Sequence, residues 1–94
     1  MKKNITPCLE QHLPDKAKFG NAVPEDAWFD AAAAHLKSAR LVIDTDPSGA
    51  FMLAWASMHN TAKGVAAVGG ARLEGETHGK VVDFLCCVFD SLTN

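Results

Sequence analysis

The histidines are the side chains most able to bind a metal ion, and three of them, His35, His59 and His78, fall on three different predicted helices. In a helical bundle they could converge on one ion. However, the sequence has no HxxxH, ExxH or HExxH pattern, which would place two ligands on one face of a helix. The sequence therefore predicts no metal site and no cofactor, with His35 at the edge of the core and His59 at the end of a packed interface.

The segment DTDPSG, residues 44–49, resembles the opening of a calcium-binding loop, with oxygen-bearing side chains at positions one, three and five and glycine at position six. Position twelve, where a glutamate should complete the site, is Trp55. Asp46 followed by Pro47 is typical of a helix start, since aspartate caps the first turn and proline suits the first helical position. The segment therefore predicts a turn between two helices.

The three cysteines, Cys8, Cys86 and Cys87, form an odd set without a CxxC pair. This pattern predicts neither a disulfide framework nor a zinc site, and it favours a reducing, cytoplasmic setting. Cys86 and Cys87 have no lysine, arginine or histidine beside them, so both thiols are predicted to be buried and unreactive. The chain also lacks GxSxG and GK[ST] patterns. This excludes serine hydrolases of the GxSxG type and P-loop nucleoside triphosphatases.

The composition is that of a small globular domain. The chain has 94 residues, of which 48% are hydrophobic and 21% charged, enough apolar surface for one modest core. Its formal net charge is -2, and its basic residues are scattered, so nucleic acid is not the default partner. The longest apolar run, residues 50–58, is about half of the ~20 residues that a membrane span needs, so no membrane association is predicted.

Proline and glycine divide the chain into two parts. Residues 1–23 contain Pro7, Pro14 and Gly20, which predict an irregular N-terminal arm with a turn or two of helix at most. Residues 24–94 show helical spacing of apolar residues and no alternating strand pattern. The predicted fold class is all-α, a small bundle of three main helices preceded by the arm.

The three helices are expected at residues 24–45, 47–68 and 77–91. The second is apolar on nearly all sides and should lie at the centre of the domain. The third begins at Thr77 as its N-cap, and its apolar surface is wider than one stripe, so something must cover it. We therefore predict a homodimer built partly on this helix. The residues expected at the interface are Val81, Leu85, Val88, Phe89 and Leu92.

A wider pattern covers about residues 27–90. It consists of A...HL..AR on the first helix, an alanine-rich second helix, a G-x-R-x-x-G-E-x-H segment and a following VVDFL. The residues of the segment are Gly70, Arg72, Gly75, Glu76 and His78. This pattern resembles small prokaryotic members of the HEPN superfamily, which are helical-bundle, often dimeric proteins of toxin–antitoxin and other defence systems.

The resemblance implies a candidate catalytic pair. Family ribonucleases use an arginine and a histidine separated by four to six residues, the arginine stabilising phosphate charge and the histidine handling the proton of the 2'-hydroxyl. Arg72 and His78 satisfy that spacing. Here the motif spans a loop, whereas the family carries it on a later helix, which would lie beyond Asn94.

Two functional interpretations follow. The leading one is a non-catalytic, HEPN-like interaction protein of a bacterial defence, toxin–antitoxin or mobile-element system, which binds a protein partner as an inhibitor or accessory subunit. The alternative is a metal-independent endoribonuclease toxin that uses Arg72 and His78, and only this alternative makes RNA a partner.

Overall fold

The computed structural model describes residues 2–20, 23–75 and 78–93, and helices make up 76% of that part of the chain. In chain order the elements are α1 (Lys2–His12), β1 (Ala17–Phe19), α2 (Glu25–Val42), α3 (Pro47–Val68), β2 (Ala71–Leu73) and α4 (His78–Thr93). The mostly helical class is confirmed. The count of three helices is not, because the described residues form four helices and a short antiparallel sheet. Thr77, the predicted N-cap, and Glu76 of the HEPN-like segment lie outside the described residues.

The N-terminal segment differs most from its prediction, because residues expected to form an irregular arm are largely helical. Helix α1 continues through Pro7, although proline cannot donate a helical hydrogen bond. Tertiary packing compensates for this loss, since one face of the helix is almost completely buried against the rest of the protein. The buried residues of this segment are Ile5, Cys8, Leu9 and Leu13.

Helix α3 is the central element, and its bounds agree with the predicted 47–68. The Asp46 side chain accepts a hydrogen bond from the backbone N–H of Gly49 at 3.1 Å, so it caps the helix as predicted. At the other end, the N–H of Gly69 donates to the carbonyl of Val65. No helix in the described ranges is long and apolar enough to cross a membrane.

Helices α2 and α3 form a long antiparallel hairpin that is held together by small residues. The ring of Phe29 lies against Gly64, where a Cβ atom would stand only 2.5 Å from a ring carbon. The buried hydroxyl of Ser57 donates to the carbonyl of Ala32 at 2.7 Å. Small side chains let the two helix backbones approach closely.

The main core lies at one end of this hairpin. The second half of α3 packs there with α1, α4 and β2, and Phe84 of α4 is completely buried among them. Strands β1 and β2 pair with Ala17 opposite Leu73, which ties the segment after α1 to the segment after α3. The molecule is therefore elongated, measuring 41 × 26 × 24 Å, with the main core at one end.

Candidate functional site

Arg72 and His78, the predicted catalytic pair, have different partners. Arg72 lies on β2, where its guanidinium forms an exposed ion pair with Glu74. His78 is the first described residue of α4, and its ring contacts α3. Among the described side chains, no hydrogen bond joins Arg72 to His78. Arg72 and His78 therefore have separate partners among the described residues.

His78 instead forms a cluster with two residues of α3. Its Nδ1 is hydrogen-bonded to Nε2 of His59, and the two rings are nearly perpendicular with centroids 4.5 Å apart. The ring of Trp55 lies 4.5 Å from the His78 ring. We call Trp55, His59 and His78 the histidine cluster. It brings two titratable rings together at the junction of α3 and α4.

The sequence offered a partial signal for this cluster. Phe51, Trp55 and His59 follow each other at intervals of four along α3, and neighbouring rings of the three are in contact. The ring contacts and the hydrogen bond described above for the histidine cluster do not include His35, which lies on α2. No group of three metal-ligating side chains occurs within residues 2–20, 23–75 and 78–93. Of the three histidines that could converge, the structure thus brings two together.

The predicted interface on α4 divides into two sets. Three of its five residues, Val81, Leu85 and Val88, are buried in the core of the chain itself, where they contact α1, α3 and β2. Phe89 and Leu92 are 56% and 46% exposed. Only these last two are available to a partner, because the chain's own core occupies the inner face of the helix. The interface prediction therefore remains open for Phe89 and Leu92 alone.

A second apolar surface, which the sequence analysis missed, lies on the α2–α3 hairpin far from the main core. It is a groove of about 430 Å³ between the end of α2 and the start of α3, and we call it the hairpin groove. Its lining is apolar except for Arg40. The lining residues are Leu36, Ala39, Arg40, Ile43, Pro47, Ala50, Phe51 and Ala54.

The hairpin groove is exposed because few residues of α2 are buried. Of the 18 residues of this helix, only Ala32 and Ala39 are buried. Large apolar side chains that line the groove are correspondingly exposed, with Phe51 at 66% and Ile43 at 56%. Apolar surface of this extent, concentrated in one groove, is typical of interaction sites on small proteins.

The cysteines correct another expectation. Cys8 of α1 and Cys87 of α4 form a disulfide, although the odd count had predicted none. Their separation of 79 residues hid the pair in the sequence, and the packing of α1 on α4 brings the two Cα atoms to 5.8 Å. Cys86 is a free thiol and is exposed, not buried as predicted.

Comparisons of the chain with models of protein families, with characterised proteins and with solved structures gave no match. Three features of the chain itself bear on its function. These are the hairpin groove, the exposed residues of α4 and the histidine cluster.

Proposed function

We propose that the protein is a small, non-catalytic, HEPN-like interaction protein of a bacterial defence, toxin–antitoxin or mobile-element system. It acts in the cytoplasm, where it binds a protein partner as an inhibitor or accessory subunit. Exposed apolar surface is the observation that carries this proposal, because both the hairpin groove and the side chains of Phe89 and Leu92 are open to a binding partner. The Cys8–Cys87 disulfide weighs against the cytoplasm, since disulfides persist mainly in oxidising compartments.

The protein acts as a homodimer in this proposal, and the hairpin groove receives a second copy of the chain. A layer of two helices must bury its open face against another layer. Two hairpins related by a two-fold axis satisfy this requirement, because each supplies the same apolar surface to the other and together they form a four-helix bundle. The proposed dimer interface thus differs from the one that the sequence predicted on α4. Phe89 and Leu92 lie outside the bundle, where they are available to the protein partner.

Substitutions in the hairpin groove should dissociate the dimer. Leu36→Asp introduces a charge into the groove, and we expect it to raise the dimer dissociation constant by at least about tenfold, a cost of about 1.4 kcal/mol. Leu41→Asp is the matched control, because Leu41 lies on the same helix, is 76% exposed and does not line the groove. Sedimentation equilibrium across micromolar concentrations measures both constants.

In the same experiment, Phe89→Asp tests whether the exposed apolar surface of α4 takes part in the dimer interface. We expect this variant to remain a dimer. Dissociation by Phe89→Asp with no effect of Leu36→Asp would place the dimer on α4 and contradict our assignment. A wild-type protein that sediments as a monomer at tens of micromolar would contradict the dimer itself.

The alternative function is a metal-independent endoribonuclease toxin that uses Arg72 and His78. One observation favours it, since the contact of His78 with His59 supplies a second imidazole for proton transfer. Against it, the Arg72 guanidinium is paired with Glu74, and no hydrogen bond or ion pair among the described residues joins it to the histidine cluster. The non-catalytic proposal therefore remains the stronger of the two.

RNA cleavage distinguishes the two functions directly. We expect no cleavage of single-stranded RNA by the wild-type protein in the presence of a chelator, and no arrest of bacterial growth on expression. A ribonuclease would lose about a hundredfold or more of its rate on Arg72→Ala or on His78→Ala. Robust cleavage that both substitutions abolish, at unchanged thermal stability, would establish the toxin.

A further inference from the structure

The histidine cluster points two imidazole nitrogens at each other across a helix junction. Nε2 of His59 comes from the middle of α3, and Nδ1 of His78 comes from the start of α4. The angle of 89° between the rings lets both nitrogens approach the same point edge-on. Because each residue lies on a helix that packs into the main core, the relative positions of the two backbones are fixed.

We propose that His59 and His78 together bind a divalent transition-metal ion, with Cu(II) as the preferred ion. Imidazole nitrogen is a suitable ligand for copper, nickel and zinc, and affinity at a given site rises to a maximum at Cu(II). In the hydrogen-bonded pair, one nitrogen carries a proton and the other accepts it. A bound metal ion takes the place of this proton, and the donating ring then carries its proton on its other nitrogen.

The surroundings of the pair permit this exchange. Metal–nitrogen bonds of about 2.0–2.1 Å would hold the two nitrogens roughly 3 Å apart, so the rings need to separate only slightly. His78 is exposed and can supply this movement by side-chain rotation, while Trp55 closes one side of its ring. Lys63, one helical turn beyond His59, has its ammonium 5.1 Å from the centre of the Trp28 ring on α2.

The test is titration of the untagged, full-length protein with Cu(II). Cys86→Ser serves as the background, because an exposed thiol would itself bind or reduce the metal. We expect one ion to bind per chain in the micromolar range by calorimetry. Electron paramagnetic resonance of the complex should show coupling to two imidazole nitrogens, and Cu(II) should raise the melting temperature because the ion joins α3 to α4.

Single glutamine variants identify the ligands. His59→Gln and His78→Gln should each weaken binding by at least about tenfold, while His35→Gln on α2 should leave it unchanged. If His59→Gln lowers the helical circular dichroism, His78→Gln decides alone, because its side chain is exposed. The proposal is overturned if His78→Gln binds as tightly as the background protein, or if His35→Gln weakens binding equally. Absence of binding at a hundred micromolar metal also overturns it.

Discussion

Replacing Phe84 with alanine is expected to lower the free energy of unfolding by about 3–5 kcal/mol. The Phe84 side chain has no exposed surface and is the largest of the fully buried side chains. It lies where α1, α3, β2 and α4 meet, so the cavity left by truncation cannot be filled from one side alone. A domain of this size has a total stability of about 5–10 kcal/mol, so the variant should be close to unfolding at room temperature.

Urea denaturation followed by circular dichroism measures this effect, and Phe89→Ala provides the control. Phe89 is on the same helix and is 56% exposed, so its truncation should cost less than about 1 kcal/mol. The comparison separates the face of α4 that forms the core from the face that is open to a partner. An equal loss of stability in the two variants would show that α4 does not pack as described.

Breaking the Cys8–Cys87 disulfide is expected to cost about 2–5 kcal/mol. The bond joins residues 79 positions apart, so it closes a loop that contains most of the chain and restricts the unfolded state strongly. It also fastens α1, which carries an internal proline, to α4. Cys87→Ser should therefore shift the urea midpoint downward, and the same shift should follow when the wild-type protein is fully reduced.

Cys86→Ser is the control for this prediction, since it removes an exposed thiol next to the bond and should leave stability nearly unchanged. A midpoint that does not respond to reductant would contradict the stabilising role of the disulfide. A protein that is held reduced in the cytoplasm would lack this contribution. Urea titrations with and without reductant therefore measure the free energy of unfolding that the protein would retain in the cytoplasm, the compartment proposed for it.

The sequence alone determined the elements whose signals are local. Asp46 and Pro47 marked the start of α3, and Gly69 marked its end, because caps depend on residues three or four positions apart. Periodic apolar residues likewise predicted α2 and α4 to within a few residues. The same periodicity was present in α1, where Ile5, Cys8 and Leu9 share one face, but the prolines concealed it.

Only the tertiary structure decided which surfaces meet. The apolar side chains of α4 could not be divided by pattern into those of the core, such as Phe84, and those that stay exposed, such as Phe89, because that division depends on where α1 packs. The disulfide and the contact of His59 with His78 have the same origin. Both join residues that are distant in sequence, and their meeting depends on the packing of α1, α3 and α4, which no short-range pattern encodes.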